Sequence, residues 1–336
     1  MMPALGELQL DFLAAPGGAS CAQVVTSSEF GCCGHLGTAS IAIGVFDGVH
    51  RGHRDLIAAT VADARARGVR AVVVTFDPDP DTVVGHAPAQ KLMTVGDRLR
   101  ALAALGVDAV VAVPFTREVA DLDHAAFFEL LGRILDIRSI RVGSDFRLGR
   151  GGASGVAEMR AWGEPRSIEV YAHDLLLDEG SAICATRIRR ELAQGSVERA
   201  AGLLGRAYMV RGRVAPGRHE GTGMGFPTAN IEVPSTIQMP ADGVYEGLAL
   251  IDGTVWPAAV NVGVPPTYAD AAASAHLEAN LIGFTGDIYG DAVALAFTRR
   301  LRPSRKFDSL DELIATVMGN IEDIKANLGD TGVKIA

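Results

Sequence analysis

The sequence predicts two folds in succession: an α/β domain built on a doubly wound parallel sheet, then an antiparallel β-barrel with a terminal helix. Three observations carry this. Up to about residue 203, strand-length apolar runs alternate with helical stretches, which is the grammar of strands joined by crossover helices. From residue 204 onward, strand-like runs follow one another, separated by Gly, Pro and Asp, until a single helical pattern begins at 309. A chain of 336 residues also exceeds what one hydrophobic core usually fills.

Residues 1–38 are rich in Gly, Ala and Ser and read as a loosely ordered leader, with one short element around Leu8 to Leu13. The first domain then runs over 39–203. Ile41 to Phe46 reads as a buried strand, and 54–67 as a helix with Leu56, Ile57, Val61 and Ala64 on one side and Gly68 stopping it. "AVVVTF" (71–76) is a second buried strand, so the unit is β-α-β with parallel strands and a right-handed crossover. A helix over about 95–105 leads to strand "VDAVVAVPF" (107–115), and Asp123 is placed to cap "HAAFFELLGRIL" (124–135). Strands "SIRVGSD" (139–145) and "SIEVYAHD" (167–174) complete the sheet. In the second domain, 204–336, Asp252-Gly253 between apolar runs predicts a hairpin. Ser309 and Glu312 open the last helix (309–328), in which Leu310, Leu313, Ile314, Val317 and Ile321 recur at helical spacing.

The formal charge of −9 argues against a nucleic-acid binder but leaves room for small anions held by local positive groups. Four cysteines (Cys21, Cys32, Cys33, Cys184) make no disulfide framework, and no second pair completes a metal shell around Cys32, Cys33 and His35. No apolar run reaches membrane-spanning length, and the first basic residue is Arg51, too late for a signal peptide. A cytoplasmic protein without membrane partners is expected.

One stretch breaks the apolar grammar: "GVFDGVHRGH" (44–53), at the carboxyl end of the first strand. His50 and His53 stand three apart at the mouth of a helix, where unpaired N–H groups favour an anion and Gly52 lets a ligand approach. In doubly wound sheets the ligand crevice lies beyond the carboxyl ends of the strands.

This stretch, with "VTFDPDP" (74–80), Arg98 in "DRLRALAALGVD", "VGSDFRLG" (142–149) and "TRIRREL" (186–192), resembles the nucleotidylyltransferase half of the bacterial bifunctional riboflavin kinase/FMN adenylyltransferases, or FAD synthetases. The second domain is similar to their kinase barrel through "GMGFPTANI" (223–231), "NVGVPPT" (261–267) and "LEANLIGF" (277–284) before "GDIYG" (286–290). The resemblance implies a Rossmann-like domain transferring AMP from ATP to FMN, and a barrel phosphorylating riboflavin with ATP and Mg²⁺. In the first, it implies that His50 and His53 act on the ATP phosphates. Gly44, Phe46, Asp47, Gly52, Thr186, Arg187 and Arg189 would contact ATP, and Asp145, Phe146 and Arg147 the flavin. In the second, it implies Mg²⁺ on Thr228 and Asn230, and Glu278 as the acceptor of the riboflavin hydroxyl proton. Gly221, Gly223, Gly225, Pro227 and Asn261 would lie near the nucleotide, and Arg302 and Phe307 beside flavin.

The expected partners are riboflavin, FMN, FAD and ATP; whether the chain forms a homo-oligomer stays open. The sequence departs from the family pattern at Cys184-Ala185, where two serines are usual, in the glycine loop at Glu220 and Thr222, and at Asn280, where histidine is usual. A kinase with a degenerate first domain and a non-catalytic flavin- or nucleotide-binding regulator are the alternatives these departures leave.

Overall fold

The computed structural model describes residues 22–85, 87–215, 227–263 and 277–335. The described residues divide into two compact units, one formed by residues 22–89 and Thr94–Cys184, the other by Gln90–Met93 and the residues from Ala185 onward.

The first unit is built on six parallel strands: β1 (Gln23–Val25), β2 (Thr38–Ile43), β3 (Arg70–Asp77), β4 (Ala109–Pro114), β5 (Asp136–Gly143) and β6 (Glu169–His173). Their order is β1-β4-β3-β2-β5-β6, each neighbour pairing in parallel. Residues 71–76 and 109–113 are buried without interruption, as strands covered on both faces must be. The chain starts this unit's winding at β2, goes outward through β3 and β4, then returns to place β5 on the other side of β2. The strand order therefore reverses between β2 and β5, which is where such sheets open a crevice. Within the stretch expected to be a leader, Gln23–Val25 is an ordered edge strand paired with β4. Three residues bounded by a polar Thr-Ser-Ser run carry too little periodicity to be read from sequence. The element expected around Leu8 to Leu13 lies outside the described residues.

Helices of this unit are α1 (Arg51–Arg67), α2 (Pro80–Val84), α3 (Val95–Ala103), α4 (Arg117–Ala120), α5 (His124–Gly132) and α6 (Val156–Gly163). Gly68 ends α1 at φ 67°, and the Asp123 carboxylate accepts from the Ala126 amide at 2.8 Å, both as the sequence predicts. A two-residue hairpin follows, β7 (Leu177–Asp178) with β8 (Ser181–Ala182).

The second unit begins with α7 (Ala185–Ala193) and α8 (Val197–Leu204). Six antiparallel strands then close on themselves: β9 (Tyr208–Ala215), β10 (Ala229–Glu232), β11 (Gly243–Ile251), β12 (Thr254–Val262), β13 (Leu277–Leu281) and β14 (Ala292–Pro303), in the order β11-β14-β9-β10-β13-β12 with β12 returning to β11. The short β15 (Val333–Lys334) adds to β12. Asp252 and Gly253 both take positive φ, 45° and 71°, the backbone a two-residue hairpin turn requires. Tyr208, Tyr245 and Phe297 are buried together, with Phe297 5.5 Å edge-on from Tyr245. Helix α9 (Leu310–Leu328) packs Ile321, Ile324 and Leu328 onto Leu248, Leu250 and Val255. Its Ser309 cap is as expected, but Glu312 reaches back to the amide of Asp308 rather than of Ser309.

One charge pair in the first unit is fully enclosed. Arg98 of α3 is 1% exposed and donates to Asp79 at 2.6 Å and to the Phe76 carbonyl at 2.6 Å. Removing the carboxylate would strand the guanidinium in the interior. Asp79→Ala is expected to lower stability by about 3 to 5 kcal/mol. Chemical denaturation of wild type and variant should show the shift in midpoint; a change below about 1 kcal/mol would mean that water reaches this pair.

Candidate active sites

The loop after β2 is shaped by a backbone few residues tolerate. Phe46 and Val49 hold φ of 57° and 41°, with Gly48 at 78° between them. A positive φ costs a β-branched residue such as Val49 of order 1–3 kcal/mol, so the surrounding fold must enforce it. The Phe46 ring, 2% exposed, folds back over Gly44, where a Cβ would lie only 2.9 Å from Cζ. Its edge meets the His53 ring at 5.2 Å. Asp47 is buried beside it.

The loop ends by capping α1 with an imidazole. His50 Nδ1 accepts from the backbone amide of His53 at 3.3 Å, so α1 starts at Arg51, three residues before the expected start. That bond assigns the proton of a neutral His50 to Nε2, which is then the donor. The two rings stack at 3.5 Å between centroids. A methyl on Gly52 would lie 3.4 Å from the His50 ring and 3.6 Å from the Ile183 carbonyl, filling the gap between them. His53 Nδ1 is buried without a hydrogen-bond partner. Burial, then repulsion from His50 and Arg98, hold the His53 imidazole well below its ordinary 6.5, and it is neutral.

The loop after β5 forms the other side of the switch point. Asp145 and Arg147 are exposed, while Phe146 is half-buried against the core. The Phe146 amide closes a turn onto the Gly143 carbonyl at 3.0 Å. Ser154 Oγ and His124 Nδ1 share a hydrogen bond at 2.8 Å, and the Gly155 amide donates to Glu158 at 2.7 Å. These contacts tie down a segment whose Gly149, Gly151 and Gly152 all have positive φ. Gly155 leaves room for the Arg147 guanidinium, which a Cβ would approach to 2.8 Å. The sequence does not flag Ser154 or His124; a serine among glycines reads as loop.

Thr186, Arg187 and Arg189 lie on α7, in the unit that contains the barrel. Thr186 is exposed and its hydroxyl accepts from Arg189 at 3.2 Å, whereas Arg187 is 9% exposed. Cys184 is exposed and free.

On the barrel, strand register gathers the expected residues. Asn230 of β10 is paired with Glu278 of β13, and Glu278 in turn with Asn261 of β12. Asn261 pairs with Val244 of β11, and Val244 with Arg302 of β14. Directly paired residues point to the same face. Asn230, Glu278, Asn261 and Arg302 thus form one row around the outside of the barrel, all half-buried, while Ile231, Leu277, Ala279, Val260 and Val262 alternate into the interior. Thr228, two residues before Asn230, continues the outward set beside Asn280, whose Nδ2 donates to the Pro227 carbonyl at 2.8 Å. Pro227 and Thr228 are exposed.

Arg302 is held on two sides. Its Nε donates to Asn320 of α9 at 3.0 Å, and its guanidinium lies 5.4 Å from the Phe307 ring centre. Burial, then the neighbouring Arg305, lower its pKa. Asn320 escaped the sequence reading, although a polar residue between Val317 and Ile324 on the apolar stripe of α9 was a usable signal. Gly221, Gly223 and Gly225 lie outside the described residues.

A buried, neutral His53 makes a signed prediction. Unfolded, the imidazole takes a proton as pH falls through about 6.5; folded, it resists. The folded state therefore loses stability on acidification, by up to about 1.4 kcal/mol per pH unit from this group. In denaturation experiments the stability of wild type relative to His53→Gln should fall between about pH 7 and pH 5. A difference that stays flat would place the imidazole in contact with solvent.

Comparison with known proteins gives the family. A family model described as FAD synthetase matches residues 34–187, and one described as riboflavin kinase matches 204–328. The chain is 34% identical over 282 residues to the bifunctional riboflavin kinase/FMN adenylyltransferase of Escherichia coli (strain K12), covering 82% of this chain and 88% of that protein. It is 31% identical over 285 residues to the Pseudomonas fluorescens protein of the same description, covering 84% and 91%. A crystal structure from Streptococcus pneumoniae, described as a macrolide-efflux protein, matches with a TM-score of 0.79 at 28% identity over 90% of this chain and 98% of that one. Among the described residues no helix is long and apolar enough to cross a membrane. With one model matching residues 34–187, the other 204–328, and both activities joined in relatives at least 30% identical over more than four fifths of the chain, the chain belongs to the bifunctional riboflavin kinase/FMN adenylyltransferase family.

Proposed function

We propose that this chain makes FMN on its barrel and FAD on its α/β unit, with ATP as co-substrate in both steps. The observation that carries the reading is the row Asn230–Glu278–Asn261, fixed by backbone pairing across three adjacent strands. In the first step the riboflavin hydroxyl oxygen attacks the γ-phosphorus of ATP, ADP leaves, and Glu278 takes the hydroxyl proton. Thr228 and Asn230 offer one hydroxyl and one amide oxygen beside that carboxylate. Few, hard, neutral donors suit Mg²⁺, which keeps water and phosphate as its other ligands. These two residues would hold the ion, and it would neutralise charge on the phosphates. Arg302 and Phe307 supply a cationic and an aromatic surface for the flavin.

In the second step an FMN phosphate oxygen attacks the α-phosphorus of ATP and pyrophosphate departs. The nucleophile is already an anion, so no protein base is needed, and the site acts by positioning and charge stabilisation. His50 and His53, at the amino-terminal turn of α1, provide donors at the switch point, His53 as a neutral imidazole. Asp145, Phe146 and Arg147 face the same end of the sheet and serve the flavin. The same reading sets the enzyme in the cytoplasm, where the thiols of Cys32, Cys33 and Cys184, all free, stay reduced.

Purified protein given riboflavin, ATP and Mg²⁺ should yield both FMN and FAD on chromatography. Glu278→Ala should cut FMN formation by about 10²-fold while FMN supplied directly is still converted to FAD. His53→Ala should abolish FAD formation and spare FMN. Loss of both products in either variant would overturn the two-site reading, and FMN alone from wild type would favour a kinase whose adenylyltransferase half has decayed, as the departure at Cys184-Ala185 allows.

A further inference from the structure

We propose that Asn280 is a positioning residue for the kinase reaction: its side-chain amide fixes the start of β10 so that Thr228 presents its hydroxyl to the cation that accompanies ATP. This rests on the kinase reading above and adds a residue to it. Asn280 is 9% exposed, unusually buried for an amide side chain, and sits on the outward face of β13 two residues after Glu278. Its Nδ2 lies 2.8 Å from the Pro227 carbonyl oxygen. A carbonyl only accepts, so the amide nitrogen must face it and the orientation is chemically determined.

The place of that bond explains its use. The pairing of β10 with β13 runs through Asn230 and Glu278 to Ala229 and Ala279, and there it ends. Pro227 and Thr228 come immediately before, both exposed, and proline brings no N–H to extend the ladder. The Asn280 amide takes over where the backbone ladder stops. It ties down the peptide whose next residue is Thr228, one strand away from Glu278. A hydroxyl that must meet a cation of strict geometry gains from this restraint, because Mg²⁺ tolerates little displacement of its ligands. Relatives usually carry histidine at this position, by the resemblance, and histidine is also a donor. An amide performs the same task without changing charge near neutral pH.

The test compares Asn280→Leu, which keeps the branched shape and removes the donor, with Asn280→His, which keeps a donor, and with Thr228→Ala. FMN formation is measured against Mg²⁺, ATP and riboflavin concentration, and FAD formation from supplied FMN on the same preparations. Asn280→Leu should raise the Mg²⁺ and ATP needed for half-maximal rate by about tenfold, the effect of losing one hydrogen bond of ordinary strength. The riboflavin KM and FAD formation should hold, and Asn280→His should restore most of the loss. If Asn280→Leu fails to fold, as unfolding curves would reveal, Asn280→Ala is read in the same way. Unchanged Mg²⁺ and ATP dependence, or a rise confined to riboflavin KM, overturns the proposal while Thr228→Ala still collapses the rate. A Thr228→Ala enzyme of wild-type rate would instead bring down the metal assignment, and the proposal with it.

Discussion

Backbone pairing between strands is the constraint on which both sites depend. In the barrel it sets Asn230, Glu278 and Asn261 side by side, although they come from three strands and the outermost two lie 48 residues apart in sequence. A slip of one residue in β13 would turn Glu278 into the apolar interior and bring Leu277 or Ala279 outward. The interior forbids that slip, because Leu277 and Ala279 are among its buried residues. Core packing and site geometry are thus enforced by the same hydrogen bonds. In the α/β unit, parallel pairing of β2 with both β3 and β5 places the loop of His50 and His53 next to that of Asp145. There the ladder supplies only the location; the loop's own strained backbone supplies the aim.

The helix carrying those histidines is held to the sheet by polar bonds as well as by apolar packing. Asp63 of α1 accepts from Ser40 of β2 at 2.7 Å and from Ser139 of β5 at 2.5 Å, both serines being buried. These hydroxyls, with Arg67, hold the Asp63 carboxyl below its usual range in spite of burial. The two strands bonded to Asp63 are those flanking the switch point. A carboxylate shared by both fixes α1 against the seam, so its amino-terminal turn is aimed by contacts more than two turns away.

How much of this was legible in sequence differs by cause. Strands with continuous burial, such as 71–76, and caps made by a single residue, such as Asp123 and Gly68, are local and were readable. The histidine pair and Glu278 stood out as candidates because each is anomalous in an apolar setting, whereas "GMGFPTANI" was readable only through its resemblance to the kinase family. Register was not readable. No local feature says that Asn261 meets Glu278, since a match between two strands depends on the closed barrel as a whole. The start of α1 was misplaced for a related reason: His50 caps with its ring nitrogen, a role usually taken by Ser, Thr, Asp or Asn. Strand β1 was missed because three residues gain their order from β4, not from themselves.

A final regularity concerns charge. Two of the arginines nearest the candidate sites are already engaged: Arg98 with Asp79, and Arg302 with Asn320 and the Phe307 ring. On the proposed reading, much of what the sites offer to phosphate is uncharged, namely a hydroxyl, side-chain amides and the neutral His53 imidazole, beside Arg187 and Arg189 of α7. In a chain of net charge −9 this division has a physical logic. Neutral donors preorganised in a partly buried site gain strength from the low dielectric there, yet they create no deep electrostatic well for an anion. An enzyme that must release ADP at one site and pyrophosphate at the other is better served by oriented dipoles than by free cations. Orientation then becomes the quantity the fold must protect, which is why so many of the contacts described above fix a donor rather than add a charge.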